Sequence, residues 1–199
     1  MAFITRLFKS SKHFLLLSLL LSASFAASAE GIRASRTEGR LTDNGQLAIS
    51  SRFQTTLPDQ LKQALSQGVP LHFVLSYQLT APTLAAYRFK LGQIVGDESS
   101  VDYKLSYHPL TNRYRISVGT FSTEYNSLDT ALRGIGAISN WKVLSDGALD
   151  GEQANRVRAQ IRLNLSTGQL PRPFQINAIT SQNWQLDSGW QSLSINSGN

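Results

Sequence analysis

From Arg156 to Leu165 the chain alternates strictly. Val157, Ala159, Ile161, Leu163 and Leu165 are apolar, and Arg156, Arg158, Gln160, Arg162 and Asn164 between them are polar. A period of two puts these sets on opposite faces of a β-strand. One face has to be covered, so the chain has to build a sheet with a buried side. Burying the four large aliphatic residues contributes about 1.5–3 kcal/mol each. The other face carries three guanidinium groups. They are either a solvated row paired with Glu38, Asp102, Glu124 or water, or a surface for an anion or acidic partner. Arginine suits the second role because it grips carboxylate or phosphate with two parallel donors.

After this strand come Leu170-Pro171-Arg172-Pro173-Phe174-Gln175. Two prolines remove two backbone donors, which predicts an extended segment along a sheet edge. Arg172 is then held out between fixed neighbours. Trp184, Leu186, Ser188 and Trp190 share one parity, which places both indoles on one face. They either close the core or form an aromatic surface. The candidate interaction residues are therefore Arg158, Arg162, Arg172, Phe174, Trp184 and Trp190, with Arg172 the sharpest.

The same reasoning orders the rest. Asp43-Asn44-Gly45 signals a hairpin turn, with Leu41 opposite Leu47, Gly39 opposite Ile49, and Gly45 in a left-handed conformation. The first arm, Ile32 to Arg40, is polar and reads as an edge strand. Thr56 as N-cap, Pro58 and Asp59 in the first turn and Gly68 at the end frame a helix that buries Leu57, Leu61, Ala64 and Leu65. Leu71 to Leu79 is a half-buried strand with His72 on its polar face. Residues 81–100 are hard to read: Tyr87 to Val95 fits a strand or a helical turn. Val101 to Tyr107 and Tyr114 to Val118 form a second hairpin. Their apolar faces coincide when paired numbers sum to an odd value, and a loop from Pro109 to Asn112 does this, pairing Tyr107 with Tyr114 and Leu105 with Ile116. Ser127 caps a second helix with Leu128, Ala131, Leu132, Ile135 and Ile138 as its buried stripe. Gly134 and Gly136 weaken it by roughly 1 kcal/mol each, which close approach to the sheet would explain. Trp141 to Leu144 is a short strand, and Ser145 to Gly151 a turn-rich loop. Hairpin, helix and strand thus occur twice, at 32–79 and 101–144. The fold class is α+β: a mainly antiparallel sheet or sandwich of about eight strands with two short amphipathic helices.

The N-terminus carries an address. Arg6, Lys9 and Lys12 precede an apolar run from Phe14 to Leu21 and end at Ala27-Ser28-Ala29, the pattern of a secretory signal peptide cleaved after Ala29. The stretch is shorter than the roughly 20 apolar residues of a spanning helix, which argues against an uncleaved anchor. Residues 30–199 then form a single globular domain with no transmembrane segment. The first 29 residues hold three of the 19 Lys+Arg and none of the 13 Asp+Glu, so the remainder carries 16 − 13 = +3 rather than +6. That mild charge argues against nucleic acid as a partner. The chain has no cysteine. Disulfides and thiolate chemistry are excluded, and an exported domain of this size without them fits a bacterial periplasm.

Leu105-Ser106-Tyr107-His108-Pro109-Leu110-Thr111, the helix opening at Ser127-Leu128, Leu170-Pro171-Arg172-Pro173-Phe174-Gln175 and Trp184-Gln185-Leu186-Asp187-Ser188-Gly189-Trp190 together resemble the bacterial exported family catalogued as domain of unknown function 4390. The resemblance covers nearly all of the chain after the signal. It departs between Leu79 and Asp97, where that family is expected to be rich in tryptophan and this chain has Tyr87 and Phe89. The resemblance carries no assigned activity. It implies an envelope sensor histidine kinase as a neighbouring partner.

Motifs for chemistry are missing. There is no Gly-x-Ser-x-Gly, His-Glu-x-x-His, phosphate loop or Gly-x-Gly-x-x-Gly. Asp146, Asp150 and Glu152 do not have the spacing of a calcium loop. No catalytic, cofactor or metal residues are expected, and the chain reads as a non-enzyme: a periplasmic interaction or accessory module for another envelope protein. The alternatives are a binding module for a small or lipid-like ligand in a sheet–helix cavity, and an enzyme of unrecognised type.

Overall fold

The computed structural model describes residues 31–80 and 100–197. The expected signal peptide and the stretch with Tyr87 and Phe89 lie outside them. Ten strands among the described residues form two sheets. They are β1 (Gly31–Leu41), β2 (Leu47–Thr56), β3 (Leu71–Leu79), β4 (Ser100–His108), β5 (Arg113–Val118), β6 (Phe121–Tyr125), β7 (Ala137–Val143), β8 (Ala159–Leu165), β9 (Gln191–Ser192) and β10 (Ser194–Ser197). One sheet has the order β10-β1-β2-β7 and the other β6-β5-β4-β3-β8-β9. Every pairing is antiparallel except β1 with β10. Three short α-helices among the described residues complete the α+β fold: α1 (Asp59–Ser66), α2 (Leu128–Gly136) and α3 (Arg172–Thr180).

Both hairpins hold the expected register. Gly39 faces Ile49 and Leu41 faces Leu47; Leu105 faces Ile116 and Tyr107 faces Tyr114. Gly45 has φ +65°, the left-handed turn conformation. The turn-rich loop after β7 clasps this hairpin: Leu149 N–H donates to Gly45 O at 2.9 Å, and the Leu149 side chain is buried. α1 ends in a Schellman motif, with Gly68 N–H on Leu65 O and Val69 N–H on Ala64 O, both at 3.0 Å.

The two repeats of hairpin, helix and strand exchange their last strands. β3 pairs with β4 of the second hairpin, and β7 pairs with β2 of the first. The sheets meet face to face. Tyr77 of β3 stands edge-on to Trp141 of β7, with centroids 5.4 Å apart. Leu71, Phe73, Leu75, Leu79, Ile161, Leu163, Leu47, Ile49 and Phe53 fill the space between. After β9, Leu193 donates its N–H to Ala159 O, and the chain crosses from the larger sheet to the smaller.

Several expectations need correction. β1 is not a free edge, because β10 pairs with it from Glu38 to Leu41. Thr56 does not cap α1: it continues the β2 ladder opposite Gly31, and Pro58 takes the N-cap position. Ile138 is buried from β7 rather than from the helix, since the chain turns extended after Gly136, and β7 starts at Ala137, earlier than Trp141. β8 starts at Ala159, so Arg156 and Arg158 stand before the strand. The largest correction is at Pro171-Arg172-Pro173, which opens α3 instead of lying extended. Phe174 and Gln175 N–H both donate to Pro171 O, at 2.9 and 3.2 Å. The first turn of a helix leaves its N–H groups without acceptors, so prolines there sacrifice nothing and bring the right φ.

Candidate functional site

α1 and α3 lie beside one another and leave a groove of about 430 Å³. α1 contributes Gln60, Gln63, Ala64 and Gln67; α3 and the turn after it contribute Phe174, Thr180, Ser181 and Trp184. α1 presents this stripe because Leu61 and Leu65 on its other face are buried, with Ala64 buried at the border between the two. Trp184 is 5% exposed and packs against Phe174 with ring centroids 5.6 Å apart. Gln175 Nε2 donates to Gly168 O and Leu170 O at 2.8 and 2.7 Å and ties the start of α3 to the preceding turn. Gln185 Nε2 reaches back to Ala178 O at 3.1 Å. On the outer side of α3, Ile176 and Ile179 stand 65% and 81% exposed.

The six residues singled out in the sequence divide into three places. Arg172, Phe174 and Trp184 belong to α3 and the groove, with Arg172 exposed at the start of the helix. Arg162 and Trp190 meet elsewhere, on the outward face of the larger sheet. Arg162 donates through Nε and one terminal nitrogen to both oxygens of Asp187, and its guanidinium lies 5.8 Å from the Trp190 ring centroid. Arg158 stands apart and braces the bend before β8, donating to Asn155 O at 2.7 Å and Val157 O at 3.2 Å. The two tryptophans therefore do not share a face, because a 3₁₀ turn at Gln182–Trp184 and an irregular stretch after it break the strand parity. The expected arginine partners also differ. Glu38 meets Arg36, Glu124 meets Arg115, and Asp102 meets His72.

The match that decides the family spans residues 29–194, to the family described as a domain of unknown function (DUF4390). The chain belongs to that family. No curated protein and no solved structure matches it. Within this DUF4390 domain, among the described residues, no group of three His, Cys, Asp or Glu side chains is placed to hold a metal ion. No helix among them is long and apolar enough to cross a membrane. His72 Nδ1 lies 3.0 Å from Asp102, whose other oxygen accepts from Gln169 Nε2 at 2.7 Å. These three groups knit β3, β4 and the turn after β8 together.

Sequence reasoning missed the glutamine stripe and the two isoleucines. Gln60, Gln63 and Gln67 follow i, i+3, i+7 and were legible as one helical face. Ile176 and Ile179 are an i, i+3 pair only once the proline segment is a helix.

The Arg162–Asp187 pair gives a pH-dependent contribution. Desolvation works to raise the Asp187 carboxyl, and hydrogen bonds from Arg162 and Gly189 N–H outweigh it, so its pKa lies below the ordinary value. A depressed folded-state pKa stabilises above the unfolded value and is lost as pH falls through the folded one. The two side chains are 35% and 37% exposed, which limits the contribution to under about 1 kcal/mol. Asp187→Asn is expected to cost that amount near neutral pH, with the gap to the parent closing as the pH falls through the lowered folded-state pKa of Asp187. A gap that persists in acid would show that the carboxylate charge is not its source. Denaturant midpoints across pH measure it.

Proposed function

We propose that this domain is an exported, non-enzymatic interaction module of the bacterial periplasm. It binds another envelope protein, with a neighbouring sensor kinase as the candidate, through the groove between α1 and α3. The observation that carries this is the pair Ile176 and Ile179, held in water on α3 beside Phe174 and the glutamine-lined groove. Exposed aliphatic pairs beside a concave, polar-rimmed surface are what a protein partner covers. Support for export comes from the charged, apolar and Ala-Ser-Ala order of the N-terminus, and the absence of cysteine favours a bacterial periplasm over other exported settings. The groove volume also falls in the range of small-ligand sites, about 300–1,000 Å³. The aliphatic pair outside the groove favours the larger partner.

The test is in-cell crosslinking with the candidate kinase probed by name. Ile176→Ser/Ile179→Ser is expected to reduce the crosslinked yield at least about tenfold, the size of a single hot-spot loss. Its melting temperature should stay unchanged, because neither side chain is part of the core. Undiminished yield from the folded variant would rule out this surface.

A further inference from the structure

The outward face of the smaller sheet concentrates positive charge that a single acidic side chain, Glu38, offsets. With the register skipping from Ala34 to Arg36, β1 presents Arg33, Arg36, Glu38 and Arg40 outward, opposite Gln54, Arg52, Ser50 and Ala48 of β2. Lys142 of β7 lies beyond Ala48. Arg33, Arg36, Arg40, Arg52 and Lys142 are all exposed. Glu38 is the one acid among them and bridges Arg36 at 2.5 Å. Five cations and one anion leave this face at four positive charges, while residues 30–199 as a whole carry +3. The rest of that domain is therefore slightly acidic. Arg36 and Arg52 stand directly opposite one another, a pairing that costs stability in a sheet.

We propose that this face docks the protein onto an anionic phospholipid surface. The array runs from Arg33 to Arg40 over roughly 20 Å of strand and does not converge on a pocket, so a single small anion is a poor fit. Its outward positions hold no large apolar or aromatic side chain. Single-stranded nucleic acid would call for stacking platforms, and a protein partner would need a buried anchor, since charge alone supplies rate and orientation more than affinity. A lipid surface needs neither, because it offers many identical phosphates at any spacing. Attraction of this kind is peripheral, additive over the basic side chains and removed by salt. No residue of the α1–α3 groove belongs to this sheet, so the two surfaces can act independently.

The experiment is sedimentation of the purified protein with vesicles of phosphatidylglycerol and phosphatidylcholine in equal parts, and with phosphatidylcholine alone, at low and high salt. Binding is expected only to the anionic vesicles, and only at low salt. Arg33→Gln/Arg40→Gln/Arg52→Gln, compared in the same chain with the same N-terminus, should weaken it about a hundredfold, from about fivefold per basic side chain. Arg52→Glu serves as the folding control. It sets a carboxylate opposite Arg36, so its melting temperature should hold or rise while vesicle binding falls. Ile176→Ser/Ile179→Ser should bind vesicles like the parent, which separates failure here from failure at the groove. Equal binding to both vesicle types, or undiminished binding of the triple variant, overturns the proposal. So does tighter binding to polyglutamate or duplex DNA than to the anionic vesicles, which would point to an acidic protein or a nucleic acid.

Discussion

Replacing Gly136 with Ala is expected to destabilise the domain by about 3 kcal/mol or more, the upper end of overpacking losses. A Cβ there would lie 2.1 Å from the carbonyl oxygen of Phe53 and 3.0 Å from its carbonyl carbon. Those atoms are backbone of β2, where Phe53 pairs with Ala34 of β1 and its neighbour Arg52 with Ala137 of β7. Neither the strand nor the end of α2 can yield without disturbing the ladders on both sides. The usual helix gain of Gly→Ala, up to about 1 kcal/mol, is too small to offset this. Gly134→Ala is the control. Its Cβ would meet the Tyr125 hydroxyl at 2.6 Å, the far end of a half-buried side chain that can swing aside. The expected net change there is within about 1 kcal/mol, since the helix gain is retained. Denaturant midpoints of the two variants decide it. Similar losses at both positions would mean that contact with Phe53 does not set the position of α2.

The two glycines show what was legible in the chain and what was not. Their cost to helix formation is local and visible in the sequence, and it points to close packing. The partner that comes close, Phe53, is more than eighty residues away in the sequence and follows only from the fold. The hairpins were legible for the same local reason. Period-two alternation and turn chemistry determine that Leu105 meets Ile116 and that Gly39 meets Ile49. Sheet membership is not local. Nothing in Ser194 to Ser197 announces a parallel strand on β1, and the return of β7 to β2 depends on how α2 crosses. β6 was missed because Phe121 to Glu124 is exposed throughout, leaving no burial alternation to read. The basic face escaped notice for a related reason: Arg33, Arg40, Arg52 and Lys142 come from three strands, and only their register brings them together. At the candidate site, Phe174 and Trp184 were legible as aromatic residues, but their local geometry was not. Two prolines predict an extended segment by the donors they remove, although the first helical turn has no acceptors for the N–H groups that proline lacks.

Trp184→Ala is expected to cost about 3–5 kcal/mol, the range for removing a large aromatic from a core. Trp190→Ala should cost less than about 1 kcal/mol, although the two indoles looked equivalent in the sequence. Trp184 is 5% exposed and packs on Phe174, while its backbone N–H, which the substitution keeps, donates to Ser181 O at the turn that ends the groove. Removing it leaves a cavity bounded by Phe174 and α1, which cannot collapse without shifting α3. Trp190 is 38% exposed and touches Arg162, whose guanidinium keeps both hydrogen bonds to Asp187 when the ring is gone. A milder variant tells packing from groove shape. Trp184→Phe retains most of the apolar volume and should recover more than half of the stability lost in Trp184→Ala. If Trp184→Ala and Trp190→Ala unfold at the same denaturant concentration, Trp184 is not buried between α1 and α3. The groove would then lose its floor, and Ile176 and Ile179 their fixed position beside it.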